Sequence, residues 1–183
     1  MQELLDTFVL NSGFALAMVG SIACVMFGGI GSARGIRIAG AQAAGVLSEK
    51  PELFGKLLVL MALPGTQGFY AFITAFMIWQ RTGLIPTGGE TVVKVAPIAG
   101  VALLFVGICA GMVQWWSAVR QGEASAAAIS LTGKKPDEAG RAILIPALIE
   151  TYAVVALLAA ILMILWLTPP TGFTITPAGS LVK

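Results

Sequence analysis

Glu150 lies between two apolar runs, residues 142–149 and 151–160, and is the only acid inside any long apolar stretch of the chain. Insertion scales charge roughly 2.5–3.5 kcal/mol for a carboxylate at the centre of a membrane helix, so such a residue calls for a partner and marks a site. Other polar groups fall at a similar depth. Counted at about 1.5 Å per residue, Glu150 sits about 21 Å beyond Pro136, and Thr66 and Gln67 sit about 22–24 Å beyond Pro51. Gln121 lies about 18 Å before Gly133 on the same count. These levels agree within one helical turn, so a carboxylate, a hydroxyl and two amides can meet. Oxygen donors of this kind suit a hard cation, and one negative charge balances one monovalent ion. A neutralised site crosses an apolar surface at far lower cost than a bare carboxylate. In the absence of a metal ion the same carboxyl would carry H+, because desolvation disfavours its charged form. The competing reading makes Glu150 a structural acid satisfied by Thr66, Gln67 or a Tyr hydroxyl. For Gln121 a structural role is equally open, since a helix that has left the apolar core by Arg120 would not carry it to the same level.

The elements that must hold these groups are legible in the composition. Hydrophobic residues make up 57% of the 183, charged residues 11%, and the mean hydropathy is +0.91, which describes an integral membrane protein. Four apolar segments, 8–33, 57–80, 93–119 and 142–168, each exceed the ~20 residues needed to cross ~30 Å of hydrocarbon. None reads as a barrel strand, so the expected fold is an all-α membrane protein with four transmembrane helices. The first segment is read as a mature helix and not a signal peptide, because its flank is acidic and its apolar run too long. Arg34, Arg37, Lys50 and Lys56 fall between segments one and two, and Arg120, Lys134, Lys135 and Arg141 between three and four, eight of the eleven basic residues. The positive-inside rule therefore places both connections in the cytoplasm and both termini, with the 81–92 connection, on the opposite side.

The chain also repeats itself. A shift of 85 residues without gaps places Cys24 on Cys109, Ser32 and Ala33 on Ser117 and Ala118, Pro51 on Pro136, Gly55 on Gly140 and Thr66 on Thr151. The unit is a helical hairpin present twice in parallel orientation, giving a first transmembrane hairpin over 1–85, a second over 86–170 and a polar non-cytoplasmic tail over 171–183. Under this shift Glu150 falls on Gly65, so only the second hairpin carries the acid. Gly13, Ala17, Gly20, Cys24, Gly28, Gly31, Gly35 and Ala39 form a small-residue face on the first helix, echoed on the third by Gly100, Gly107, Gly111, Ala118, Gly122 and Ser125. Small faces let helices approach closely in a membrane. This suits either a tight four-helix bundle or a closely packed inner ring of helices from several copies.

Three stretches carry a family resemblance: Leu63-Pro-Gly-Thr-Gln-Gly-Phe-Tyr70, Arg120-Gln-Gly122 followed by an Ala-rich stretch, and Leu148-Ile-Glu-Thr-Tyr152. Over about residues 8–168 the chain resembles the membrane rotor proteolipid, the K or c subunit, of V-type ATPases, in particular the sodium-coupled bacterial branch. The resemblance implies a ring of identical copies in a bacterial plasma membrane, rotating against a stator membrane subunit with an essential Arg. It implies Glu150 as the Na+-binding carboxylate, with the Leu63 carbonyl, the Thr66 hydroxyl and the Gln67 and Gln121 amides as further ligands and the Tyr70 hydroxyl holding Glu150. The family commonly has Pro directly before this Glu. Here Ile149 stands there and Pro146 comes earlier, which moves the carbonyl that Pro frees and with it the helix bend.

The remaining candidates for chemistry read as packing or surface. The chain has no His, which excludes His metal sites and His general bases. Cys24 and Cys109, at equivalent repeat positions, are expected to be small packing residues and not a disulfide or metal pair. Trp115 and Trp116 near the cytoplasmic side and Trp79 and Trp166 near the other suit interfacial belts. Glu123 reads as a surface acid. Glu49, Glu52, Asp137 and Glu138 stand beside Lys residues at the turns, where they are either contacts for a central-stalk subunit or merely solvated. No phosphate-binding Gly-rich loop is present, so ATP hydrolysis belongs to other chains and this one has no catalytic chemistry. No organic cofactor and no nucleic-acid partner are expected. The alternatives to a Na+-carrying rotor are the same rotor coupled to H+, a structural or pore-forming proteolipid, and a small secondary transporter.

Overall fold

The computed structural model describes residues 1–85, 95–169, 174–175 and 181–182, with the backbone alone over 2–10, 174–175 and 181–182. Part of the 81–92 connection and most of the 171–183 tail lie outside the described residues. Four helical spans follow one another: α1 (Gln2–Glu49), the pair α2 (Phe54–Ala62) and α3 (Thr66–Arg81), α4 (Pro97–Lys134), and the pair α5 (Ala139–Ala142) and α6 (Leu144–Leu167). All four are long and apolar enough to cross a membrane. Thr174–Ile175 and Leu181–Val182 pair antiparallel beyond the last helix.

The two hairpin turns are built alike. α1 ends at Lys50 (φ −136°, ψ 70°) and α4 at Lys135 (φ −135°, ψ 84°), and each is followed by a Pro-initiated 3-10 turn, Pro51–Leu53 and Pro136–Glu138. The residue before Pro is driven out of the α region, and Pro is favoured at the start of the next helix. The 85-residue repeat thus extends to backbone dihedrals. The turns are tied together where Lys50 Nζ donates to the Gly133 carbonyl at 2.6 Å and Lys56 Nζ to that of Pro136 at 3.0 Å.

α1 and α4 are much longer than the apolar segments 8–33 and 93–119. Their 48 and 38 residues correspond to about 72 Å and 57 Å of helix, well beyond ~30 Å of hydrocarbon. The extension runs past Arg34, Arg37, Arg120 and Glu123 because Ala-rich sequence favours helix and because the two helices keep packing. Every member of the small-residue face on α1, and of its echo on α4, is buried within the single chain. A Cβ on Gly100, Gly107 or Gly122 would collide with the backbones of Gly13, Gly20 and Gly35, respectively. The α1–α4 seam is therefore a backbone-to-backbone contact that tolerates no side chain at these positions.

Two apolar clusters fill the bundle. One contains Ala17, Cys24, Ala71, Ile78, Leu103, Ala110 and Ile164; the other, toward the turns, contains Ala39, Leu53, Leu57, Leu60, Ala128 and Ala142. Gln67, Ser117 and Gln121, all buried, form a polar layer between them. At the end away from the turns, Trp79 Nε1 donates to Ser21 Oγ at 2.7 Å, and Arg81 Nε donates to Thr168 Oγ1 at 3.0 Å.

Two details differ from the sequence expectation. Trp115 is turned inward, stacked on Phe27 with ring centroids 6.3 Å apart, because Gly31 leaves space for it; Trp116 alone is the exposed member of the pair. Cys24 is buried but Cys109 is exposed on α4, so only the first packs within the chain, and both are free thiols.

Candidate functional site

Backbone irregularities place the site. Pro64 has no N–H for the Leu60 carbonyl, and the span tightens into a 3-10 turn over Leu63–Gly65 before α3 begins at Thr66. The Thr66 hydroxyl donates to the Leu63 carbonyl at 3.0 Å and lies 3.4 Å from Gln67 Oε1. Three oxygens, on Leu63, Thr66 and Gln67, are thereby gathered at one kink. On the facing span Pro146 leaves the Ala142 carbonyl without its helical donor, and the helix is interrupted at Ile143, between α5 and α6. Glu150 follows one turn after Pro146.

The carboxylate of Glu150 bridges α6 to α3 and α4. Tyr70 Oη donates to Glu150 Oε1 at 2.6 Å, and Gln121 Nε2 donates to Glu150 Oε2 at 3.3 Å and to the Pro146 carbonyl at 3.2 Å. Gln67 Nε2 donates to Gln121 Oε1 and, at 3.4 Å, to Ser117 Oγ. The structure brings Glu150, Gln121, Gln67 and Tyr70 into one hydrogen-bonded chain, with Thr66 and the Leu63 carbonyl joined to it at Gln67. The depth counts from the turns agree with this meeting. Gln121 is fully buried, since α4 continues as a helix well past Arg120.

The electrostatics of the arrangement are unbalanced. Arg120 pairs with Glu123 at 2.9 Å and Arg141 with Glu138 at 3.1 Å, and among the described residues no Lys or Arg pairs with Glu150. Neutral donors hold the carboxylate in place without cancelling its charge. A half-buried anion in that setting is stabilised by a cation or a proton arriving from outside the chain. Among the described residues no three His, Cys, Asp or Glu cluster; the arrangement offers one carboxylate beside neutral oxygens, donors of the kind that suit a hard monovalent ion.

Sequence reasoning passed over three contributors. Gln114 Nε2 donates to the Ala153 carbonyl at 2.9 Å, and Ser117 Oγ to the Ile149 carbonyl at 3.4 Å, so that Gln114, Ser117 and Gln121 run along α4 and grip the backbone of α6 on both sides of Glu150. Their spacing of three and four residues was the available signal, since it sets all three on one helical face. On the first hairpin, Ser32 Oγ accepts from the Gly68 N–H at 2.8 Å and steadies the turn that carries Gln67.

Comparison with known proteins gives a consistent picture. The sequence matches the ATP synthase C subunit family twice, over residues 13–78 and 104–163, one match in each hairpin. It is 35% identical over 157 residues to the V-type sodium ATPase subunit K of Enterococcus hirae, covering 85% of this chain and 94% of that protein. It is 34% identical over 149 residues to the A-type ATP synthase subunit K of Methanocaldococcus jannaschii, covering 81% of this chain and 61% of that one.

Proposed function

This chain belongs to the ATP synthase C subunit family, and on that premise we propose that it is a rotor-ring subunit of a V-type ATPase which binds Na+ at Glu150 and carries it across the membrane during ATP-driven rotation. It is a non-catalytic, integral membrane subunit, and ATP is hydrolysed elsewhere in the complex. The observation that carries the reading is the carboxylate fixed by Tyr70 and Gln121 with no balancing cation among the described residues, beside three oxygens gathered at the Leu63–Thr66 kink. The similarity to a sodium ATPase subunit favours Na+ over H+ as the cargo.

In this mechanism Glu150, the Leu63 carbonyl, the Thr66 hydroxyl and the Gln67 and Gln121 amide oxygens take the ion. Binding asks Gln67 and Gln121 to turn amide oxygens to the ion, at the expense of the bond between them, while Tyr70 keeps the carboxylate inward. Charge neutralisation then lets the occupied site move through the apolar bilayer. At the stator, an Arg of that subunit draws the carboxylate away from Tyr70 and releases the ion. The turns at Lys50 and Lys135, on the cytoplasmic side, meet the central stalk, and both termini face away from the cytoplasm of a bacterial plasma membrane.

Carbodiimides attack a protonated carboxyl in an apolar setting and not an ionised one holding a metal ion. Labelling of the purified ring is measured across pH, with and without Na+. Modification confined to Glu150 and suppressed by Na+ is expected, and Glu150→Gln should abolish both labelling and transport. Labelling that follows pH and ignores Na+ would replace Na+ by H+. Transport that survives in Glu150→Gln would make the chain a structural or pore-forming proteolipid.

A further inference from the structure

Ser117 joins a proposed ligand side chain to the backbone beside Glu150. It is buried on α4, accepts from Gln67 Nε2 of α3 at 3.4 Å and donates to the Ile149 carbonyl of α6 at 3.4 Å. A hydroxyl has a single hydrogen to give. With that hydrogen directed at Ile149, only lone pairs face Gln67, so Ser117 attracts the amide nitrogen and repels the amide oxygen. The hydroxyl therefore sets which end of Gln67 points where. The nitrogen is turned to α4 and the oxygen to the kink, where Gln67 Oε1 lies 3.4 Å from Thr66 Oγ1.

In the structure Gln67 Nε2 also donates to Gln121 Oε1. Both Ser117 contacts are long for hydrogen bonds, so in this arrangement Gln121 holds the amide and Ser117 contributes little. Ion binding changes the balance. Gln121 Oε1 is one of the oxygens proposed to turn to Na+, and once it turns, Gln67 Nε2 loses that acceptor. A buried amide N–H left unpaired bears the full penalty of its lost hydration. Among the described residues Ser117 is the other acceptor that Gln67 Nε2 reaches.

The repeat shows that this acceptor belongs to the second hairpin alone. The 85-residue shift places Ser117 on Ser32. Ser32 Oγ accepts from the Gly68 N–H at 2.8 Å and donates to the Gly65 carbonyl at 3.4 Å, so it fastens α1 to the outer span of its own hairpin by backbone groups at both ends. Ser117 keeps the backbone contact as a donor but turns its lone pairs across the hairpin boundary, to a side chain that can exchange partners.

We propose that Ser117 is a positioning residue for ion binding: its hydroxyl takes over the Gln67 nitrogen when Gln121 gives up its oxygen, and so keeps Gln67 Oε1 directed at the cation. The inference rests on the Na+ reading of the site and adds to it a residue that touches no ion. Its consequence is one-sided, because Ser117 then supports the occupied site and not the empty one.

Ser117→Ala in purified rings is expected to raise the Na+ concentration that half-protects Glu150 from carbodiimide about fivefold, the equivalent of roughly one hydrogen bond. The rate of labelling at the same pH without Na+ should stay at the wild-type value, whereas loss of a residue that merely braces α6 would change it. Ser125→Ala removes a buried α4 hydroxyl that has no partner among the described residues, and should leave both readings unaltered. If Ser117→Ala does not assemble, Ser117→Cys, close in shape and with only a weak acceptor, is expected to shift the Na+ value in the same direction. A wild-type Na+ value in the assembled variant would overturn the inference and leave the Na+ reading standing, since another acceptor would then hold Gln67. A Na+-free labelling rate that changes as much as the Na+ value, or an equal shift in Ser125→Ala, would also overturn it, in favour of a bracing role. Wild-type rings in which Na+ gives no protection would overturn the Na+ reading and this inference with it.

Discussion

Tyr70→Phe isolates the hydroxyl that holds Glu150, the acid proposed to carry the ion. Its 2.6 Å bond to Glu150 Oε1 is short and charge-assisted while Glu150 is ionised. A hydrogen bond to a charged group contributes about 1.5–3 kcal/mol and one between neutral groups about 0.5–1.5 kcal/mol. The ionised carboxylate with Na+ therefore gains about 1 kcal/mol more from Tyr70 than the protonated, ion-free carboxyl does. Tyr70 and Glu150 are both only partly buried, so the lower end of each range applies. A difference of about 1 kcal/mol is roughly fivefold in an equilibrium constant. Tyr70→Phe keeps the ring and its packing, and should raise the Na+ concentration that half-protects Glu150 from carbodiimide about fivefold at fixed pH, with labelling still confined to Glu150. An unchanged half-protecting concentration would refute the assignment of Tyr70 as the group that favours the ionised, occupied state. A total loss of protection would show that Tyr70 supports the whole site and not this one bond.

Thr66→Val preserves volume and removes the hydroxyl that bridges Leu63 and Gln67; the half-protecting Na+ concentration should rise about tenfold, as expected for a lost ligand to a charged group, and equilibrium binding of radioactive Na+ to purified rings checks it. Gln114→Leu removes a 2.9 Å bond to the Ala153 carbonyl but also a buried Oε1 that has no partner among the described residues, so thermal stability should change by no more than about 1 kcal/mol and the half-protecting Na+ concentration by less than in Thr66→Val. Gly107→Val drives a branched side chain into the Gly20 backbone, at a cost of about 3 kcal/mol or more, and should be seen as a large drop in melting temperature of the detergent-solubilised protein.

The meeting of the polar groups was more legible than the extent of the helices that carry them. Thr66, Gln67 and Glu150 could be levelled from the sequence because Pro51 and Pro136 mark the helix starts, and a rise of 1.5 Å per residue does the rest. Hydropathy, by contrast, ended the first and third segments at 33 and 119, just before Arg34 and Arg120. Charge stops an apolar window but does not stop a helix, and nothing in 34–49 or 120–134 breaks one. What continues these helices is each other, through Gly122 on Gly35 and Gly133 on Val46, a tertiary cause that no window can register. The same cause explains Trp115. Its type suggested an interfacial belt, but the space left by Gly31 on another helix draws it inward. The interruption at Ile143 follows from Pro146, whereas the grip of Gln114 and Ser117 on α6 depends on which face of α4 meets which carbonyl.

The duplicated hairpin with a single acid has a mechanical consequence. Internally, Glu150 of α6 reaches Tyr70 of α3 and Gln121 of α4, so the complete donor set lies at the junction between the two hairpins of one chain. The 85-residue shift sets Val155 in place of Tyr70, Gly65 in place of Glu150, Ile36 in place of Gln121 and Tyr152 in place of Gln67. The carboxylate and both amides are lost from the equivalent set, in which only the hydroxyls of Thr151 and Tyr152 and the Leu148 carbonyl remain as oxygens. The face that carries Leu148, Ile149 and Tyr152, with Met112, Val113 and Trp116 beside them, is apolar. With Glu150 as the proposed ion site, a ring of such chains carries one ion for every four helices where an unduplicated hairpin with its own acid would carry two. If the same number of hairpins closes the ring, each turn moves half as many ions, and the free energy of the ATP hydrolysed per turn is divided among fewer of them. Each Na+ can then be driven against a steeper gradient, which makes the exchange of Glu150 for Gly65 a change of gear ratio and not merely a lost site.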